Sequence, residues 1–153
     1  MKKSILATAA ISLCISLLFA VNSVEVPRYQ KNKDVLIDNK LGLMWQDNLA
    51  GKRIEKDWYG AKEYCRNLSL AGNTDWRLPN YNEMMSVMDY KKQKPVIHNA
   101  FKNTVSAFHW SSERVYANNS LSWAINFAYG NSHYFPKTEA KDIYVLCVRD
   151  GLK

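Results

Sequence analysis

The sequence predicts an α+β domain, in which two helices are followed by a β-rich half and one disulfide joins the two parts. Apolar residues recur every three or four positions between residues 58 and 88, and every second position beyond residue 108. Two cysteines, Cys65 and Cys147, lie one in each part. Helices and strands that are segregated along the chain are typical of this class.

Residues 1–23 have the layout of a secretory signal peptide. Two lysines precede an apolar stretch at 5–20, and small residues follow it. An uncleaved membrane anchor is the alternative, although a span needs about 20 apolar residues. We therefore expect an exported protein, periplasmic, extracellular or at the cell surface. We expect cleavage after Ala20 or Ser23 and no transmembrane segment in the mature chain.

The mature chain is mildly basic and has the size of one domain. Removing 23 of the 153 residues leaves 130. Without the two lysines of that segment, 19 of the 21 Lys and Arg residues remain against 14 Asp and Glu, a formal charge of +5. Such a charge suits an anionic glycan, an acidic surface or a phospholipid headgroup, although many exported domains carry it without an anionic partner. No nucleic-acid partner is predicted.

Cys65 and Cys147 predict a disulfide, because an even pair of cysteines in an oxidising compartment is usually bonded. Closing the loop between them would stabilise the fold by about 4.5 kcal/mol on the chain-entropy model. Two reactive free thiols are the alternative, although no CxxC motif or adjacent basic cluster marks them.

The first part of the mature chain contains two predicted strands. Residues 24–33 are polar and interrupted by a proline, which indicates a lead-in segment before a domain at 34–153. Apolar and polar residues alternate on both sides of the turn sequence DNKLG, so residues 35–45 predict two short strands. Residues 47–56 form a polar loop.

Two helices follow. Asp57 is a predicted N-cap, and Trp58, Ala61, Cys65 and Leu68 share one face of the first helix. The second helix is predicted to begin after the stretch TDWRLPNYNE, residues 74–83.

That stretch is interpreted as a joint of the fold. Asn80 and Glu83 have the spacing of a capping box, and Pro79 disfavours helical geometry at Leu78. Arg77 is expected to pair with a carboxylate or with backbone carbonyls. The apolar face of the helix consists of Tyr81, Met84, Met85 and Met88, and is predicted to fill the core.

The last third of the chain predicts strands. Residues 108–112 form one, and residues 121–127 alternate between large apolar and small or polar side chains, as a half-buried strand does. A turn at Gly130 leads to a return strand that Pro136 ends. Residues 142–149 are apolar on both faces and predict a central strand.

Five segments resemble, in this order, the C-terminal domain family of the Legionella collagen-like adhesin. They are IDNKLGLMWQ (37–46), AKEYCRNL (61–68), DWRLPNYNE (75–83), HWSS (109–112) and YVLCVRDG (144–151). Together they cover nearly all of the mature chain. The residues that carry the most specific motifs are Trp76, Arg77, Leu78, Pro79, Asn80, Glu83 and Trp110.

The resemblance implies a fold similar to the C-type lectin-like and sulfatase-modifying-factor folds, with two helices packed on a twisted, mainly antiparallel sheet. It also implies that a cysteine on the first helix bonds to one on the final strand. The adhesin that gives the family its name binds sulfated glycosaminoglycans through this domain, so the resemblance implies an adhesin-like binding module. The calcium-binding signatures of true C-type lectins are absent from the sequence.

No motif in the sequence indicates catalysis. His98, His109 and His133 are isolated, and neither a GxSxG elbow nor a P-loop occurs. A dispersed pair of acids, as in a glycosidase, is the alternative that sequence cannot reveal. We therefore predict a non-enzymatic protein with no metal and no cofactor.

Two basic clusters are the candidate ligand-binding residues. YKKQK at 90–94 follows the second helix, and GKR at 51–53 with Lys56 precedes the first. Solvated loops are the alternative. If the clusters converge, their charges beside aromatic rings suit a sulfated or acidic polysaccharide; a protein of the cell envelope is the alternative partner. The candidates are Lys52, Arg53, Lys56, Trp58, Tyr90, Lys91, Lys92 and Lys94.

Overall fold

Two helices and two antiparallel sheets build the part of the chain that the structure, a computed structural model, describes: residues 25–140 and 142–151. The predicted signal peptide lies outside the described residues. The elements are β1 (Tyr29–Asn32), β2 (Val35–Asp38), β3 (Leu43–Gln46), α1 (Trp58–Arg66), α2 (Tyr81–Ser86), β4 (Phe108–Val115), β5 (Asn118–Asn126), β6 (Ser132–Pro136) and β7 (Val148–Asp150), with a 3₁₀-helix at Leu49–Lys52.

The α+β class is confirmed, but the strands form two sheets rather than one. The first sheet has the order β1-β2-β3-β7, and the second has the order β4-β5-β6. Within residues 25–140 and 142–151, no helix has the length and apolar character to cross a membrane.

Strand β1 lies in the segment that was interpreted as a lead-in, where no strand was predicted. It pairs with β2 along its whole length, from Tyr29 opposite Asp38 to Asn32 opposite Val35. Three of its four side chains are exposed, as is usual for an edge strand, so an apolar alternation is missing. The predicted strands around DNKLG are β2 and β3, and Gly42 supplies the positive φ that the turn between them requires.

Both helices begin where local side chains cap them. Asp57 accepts a hydrogen bond from the backbone N–H of Gly60 at 2.7 Å, and Asn80 and Glu83 form the complete capping box. The second helix ends at Ser86, so Met88 lies beyond it, in contrast to the helical spacing of the methionines. Met88 instead forms a β-bridge with Ile97.

The buried face of β5 agrees with the prediction at Ile125, which is fully buried, but differs in the residues before it. Ser122 and Ala124 are fully buried, whereas the larger Leu121 and Trp123 are half-buried. The reason is the partner strand, because Ala124 lies directly opposite the fully buried Trp110 of β4. A tryptophan on one strand leaves room for only a small side chain on the next.

Most of residues 142–149 are buried, although Asp142 is exposed and Tyr144 is half-buried, but the segment does not form a regular central strand. Only the end of this segment belongs to β7, which pairs with β3. Upstream of it, Tyr144 donates to the carbonyl of Phe108 at 2.9 Å, and Val145 donates to that of Ile54 at 3.0 Å. The backbone groups of this segment therefore bond to several different partners, which a single ladder would not allow.

The disulfide between Cys65 and Cys147 is confirmed. It ties α1 to the chain immediately before β7, inside one of two clusters of buried apolar side chains. The second cluster surrounds Trp45, Met84 and Phe127, and packs α2 against both sheets.

Candidate functional site

The two predicted basic clusters lie in loops that contact different parts of the chain. Lys94 of the 90–94 loop donates to the hydroxyl of Tyr129, in the turn between β5 and β6, at 2.7 Å. The 51–53 cluster begins at Gly51, which is packed against the carbonyl of Asn103. Among the described residues no hydrogen bond or ion pair joins the two clusters.

The 90–94 loop forms an exposed surface with the β5–β6 turn, which we call the tyrosine–lysine patch: Tyr90, Lys91, Lys94 and Tyr129. Tyr90 is 62% exposed and Tyr129 is 61% exposed. The ammonium of Lys94 lies 4.5 Å from the centroid of the Tyr129 ring, a cation–π contact. Exposed tyrosine rings can stack on a sugar, and the ammonium groups beside them can bind its acidic substituents.

Lys92 is held within its own loop. Its ammonium donates to the carbonyl of Ile97 at 2.7 Å and to the side chain of Asn99 at 2.8 Å. Tyr129 was not a sequence candidate. Its neighbour Gly130 marks a turn, but only the folded chain shows that the turn meets the 90–94 loop.

The candidates of the other cluster are spread out. Lys52, Arg53 and Lys56 are exposed, and Lys56 borders an open cleft that Glu63 also lines. Trp58, proposed as a stacking platform, is only 7% exposed, and its indole N–H donates to the carbonyl of Ser111 at 2.8 Å. Its ring is therefore covered by protein.

A second basic surface lies against that ring, and we call it the cationic groove. It consists of Lys62 and Arg66 of α1, Arg114 of β4, and Lys137, which follows β6. The ammonium groups of Lys62 and Lys137 lie 4.6 and 4.5 Å from the centroid of the Trp58 ring. Lys62 lines two adjoining open depressions, one continuing to Arg114 and the other to Arg66.

The positive charges of the cationic groove lack the usual compensation. Lys137 is 5% exposed, and its ammonium donates to the carbonyl of Asn119 at 2.5 Å. Among the described residues no carboxylate forms an ion pair with Lys137, Lys62 or Arg114. Burial lowers the pKa of Lys137, and the cations of Arg114 and Lys62 lower it further. A covered lysine is rarely left unpaired in proteins, so this charge arrangement points to a function.

Sequence reasoning missed this groove. The spacing of Lys62 and Arg66 places them on one helix face, and that is the only local signal. Arg114 lies in β4 and Lys137 directly follows β6, both far along the chain from α1. Their position follows from the pairing of β4 with β5 and of β5 with β6.

The motif residues of the 74–83 stretch form a joint. The guanidinium of Arg77 donates twice to the carboxylate of Glu83, both bonds being 2.8 Å, and once to Asp150 at 2.9 Å. These hydrogen bonds, those to Glu83 above all, raise the pKa of Arg77. The remaining motif side chains are buried or cap α2: Trp76, Leu78 and Pro79 are buried, Asn80 caps the helix, and Trp110 is fully buried with its indole N–H on the carbonyl of Lys56.

Within residues 25–140 and 142–151, no three His, Cys, Asp or Glu side chains come together as a metal site would require. The fold and its surfaces define a disulfide-bonded α+β domain that presents two basic surfaces, one of them lined by exposed tyrosines. The model of the Lcl C-terminal domain family matches residues 34–149, so the chain belongs to that family. A search of curated proteins finds no match to this chain.

Proposed function

We propose that the protein is an exported, non-enzymatic binding module of the adhesin type, which recognises an anionic glycan through the tyrosine–lysine patch. Membership of the Lcl C-terminal domain family suggests an adhesin-associated module. The single observation that carries the choice of surface is the exposure of Tyr90 and Tyr129 beside Lys94.

The chemistry of the patch suits a sulfated or carboxylated sugar. Tyrosine rings offer flat apolar faces and lose little side-chain freedom when a ligand covers them. Lys91 and Lys94 are exposed, and among the described residues neither forms an ion pair with a carboxylate. Their charges therefore remain available for sulfate or carboxylate groups, while the rings contact the sugar itself.

Retention on immobilised heparin tests this proposal. Lys91→Gln/Lys94→Gln should elute at lower salt than the wild type, because screened charge–charge attraction weakens with each lost cation. Lys52→Gln/Arg53→Gln is the matched control, since it removes two exposed cations from the other loop. Equal shifts for both double variants would show that net charge alone governs retention, which contradicts a site at the patch.

The tyrosines give a second, independent measurement. Tyr90→Ala/Tyr129→Ala keeps every charge, so its long-range attraction to heparin should persist while stacking is lost. We expect a dissociation constant for a heparin-derived tetrasaccharide that rises by about tenfold, from the loss of two stacking contacts. An unchanged constant would exclude the rings from the site.

Two further parts of the proposal concern architecture and export. The bond from α1 to the chain before β7 supports a lectin-like arrangement; a superposition on a C-type lectin-like domain that leaves both segments unmatched would contradict it. The disulfide and the predicted signal peptide support export. N-terminal sequencing of the mature protein should begin at Val21 or Val24.

An envelope-assembly subunit is the second candidate function. The favouring observation is Tyr116, which is fully exposed at the turn between β4 and β5 and offers an apolar contact to a protein partner. Binding to an envelope fraction that survives high salt but is lost in Tyr116→Ser would favour this role over glycan recognition.

A further inference from the structure

The cationic groove lies apart from the tyrosine–lysine patch. Tyr129 precedes β6 and Lys137 follows it, so the two surfaces lie towards opposite ends of this five-residue strand. A strand of that length spans about 17 Å. Whatever occupies the groove therefore binds separately from a sugar residue stacked on the patch.

We propose that the cationic groove is a second binding site, which takes a compact oxyanion: a sulfate or phosphate group. Lys62 and Arg114, which line the same depression, contact the oxygens, and Lys137, whose ammonium lies against the Trp58 ring, adds a positive charge nearby. The site is independent of the proposed function, since it rests on different residues and holds whether or not the patch binds a glycan.

The first observation that supports this site is that Lys137 and Arg114 form no ion pair within the described residues. Lys137 is only 5% exposed, yet within residues 25–140 and 142–151 its ammonium donates one hydrogen bond of a possible three, to the carbonyl of Asn119. Arg114 donates to the side chain of the same Asn119 at 3.2 Å. Both cations are thus anchored by a neutral residue, which orients them, and no carboxylate in the described part of the chain pairs with either.

The second support is the way the fold brings the cations together. The backbone N–H of Trp58 donates to the carbonyl of Lys137 at 2.9 Å, which fixes the chain after β6 against the start of α1. The Trp58 ring then receives the ammonium groups of Lys62 and Lys137. Like charges gathered around one ring repel, and a bound anion relieves that repulsion.

The ligand class follows from the donors. A guanidinium presents parallel N–H groups that match two oxygens of a sulfate or phosphate, and an ammonium adds a point charge. Ser112 lines both depressions of the groove and adds a hydroxyl. Glu113 also lines it, and its carboxylate disfavours a large polyanion that covers the whole surface.

The indole N–H resonance of Trp58 reports on the site, because that ring lies beneath the cations. Sodium sulfate should shift this resonance saturably in the ¹⁵N spectrum of the purified protein, whereas sodium chloride at equal ionic strength should not. In Lys62→Gln/Arg114→Gln the sulfate dissociation constant should rise about tenfold or more, since each lost charged hydrogen bond weakens binding. Equal responses to both salts, or unchanged sulfate binding in the variant, would overturn the site.

The matched control is Lys91→Gln/Lys94→Gln, which removes the same number of charges from the patch and should leave the Trp58 response unchanged. The control also separates the two proposals. Heparin retention that fails only in the control supports the patch alone, whereas a sulfate response that fails only in Lys62→Gln/Arg114→Gln supports the groove. A Trp58 response that is equally weakened in both variants would reduce the groove to a net-charge effect.

Two further probes distinguish the source of the oxyanion. Inorganic phosphate represents a free ion, and a heparin-derived tetrasaccharide represents sulfate carried on a polymer. Tighter binding of the tetrasaccharide, lost in Lys62→Gln/Arg114→Gln, assigns the groove to sulfated polysaccharides. Binding of the free ions without the tetrasaccharide assigns it to small oxyanions, and binding of none of the three probes overturns it.

Discussion

Around the first sheet the arginines donate to carboxylates, whereas the cations of the groove beside α1 form no ion pair with a carboxylate among the described residues. Arg28 pairs with the buried Asp38 at 2.9 Å, and Arg149 pairs with Asp75 at 2.6 Å. On the other side of the domain, Lys62 and Lys137 meet an indole ring instead. One region therefore uses its positive charges to join chain segments, and the other presents them.

The pKa directions show the same contrast. Hydrogen bonds to Glu83 raise the pKa of Arg77, because the charged form is stabilised by a carboxylate. Burial and neighbouring cations lower the pKa of Lys137, because its charged form is disfavoured. A charge that the fold stabilises is structural, whereas one that the fold tolerates at a cost is a candidate for ligand binding.

The largest expected effect comes from cutting the covalent tie between the two regions. Cys65→Ala/Cys147→Ala should lower the free energy of unfolding by about 4.5 kcal/mol, since the bond closes a loop of 82 residues in the unfolded chain. Urea unfolding, followed by circular dichroism, measures the difference. Wild-type protein unfolded in a reducing agent is the control and should match the variant. A loss below about 1 kcal/mol would contradict the chain-entropy account.

Acid should lower the free energy of unfolding through protonation of His109. This β4 residue is fully buried, stacks on Phe127 with 4.5 Å between ring centroids, and donates through Nδ1 to the carbonyl of Ala107. Burial lowers the pKa of His109 from 6.5 to about 4. The pKa of His109 is lower in the folded chain than in the unfolded chain, so the unfolded chain binds the proton first as the pH falls. The free energy of unfolding is therefore at its full value above pH 6.5 and decreases as the pH falls towards 4.

The loss amounts to about 3 kcal/mol at most, from the free energy of one pKa unit. Urea midpoints measured between pH 7 and 4 test it. His109→Leu cannot take up the proton and should show a flatter pH profile, even if it is less stable throughout. His133→Gln removes an exposed histidine and should keep the wild-type slope. A wild-type slope in His109→Leu would assign the acid sensitivity to other groups.

The smallest expected effect comes from comparing an arginine that pairs with a carboxylate, Arg77, with an arginine of the groove, Arg114. Arg77→Gln should lower stability by about 1 kcal/mol, a value reduced by the 41% exposure of this side chain. Arg114→Gln should leave the stability unchanged or raise it by up to about 0.5 kcal/mol, because a like charge is removed from beside Lys137. Thermal unfolding in sulfate-free buffer measures both. Equal losses in the two variants would show that the groove arginine also supports the fold.

Local hydrogen bonding explains which elements could be predicted. Asp57 and Asn80 cap the helices through bonds to residues three positions ahead, so the sequence around them is sufficient. The strands of the β2–β3 hairpin are similarly local, because a short turn sets their pairing. By contrast, β1 depends on a partner strand rather than on its own polar residues.

The sequence by itself determined the α+β class, the helix starts and the pairing of the two cysteines. The first two depend on spacing within a few residues, and the pairing was predicted because an even pair of cysteines is usually bonded in an oxidising compartment. Only the tertiary structure decided that residues 143–147 bond to several partners and that Ala124 rather than Trp123 faces the buried Trp110. It also brought Lys62 and Lys137 to one tryptophan. Side chains from distant segments meet through strand register and packing, which local spacing does not specify.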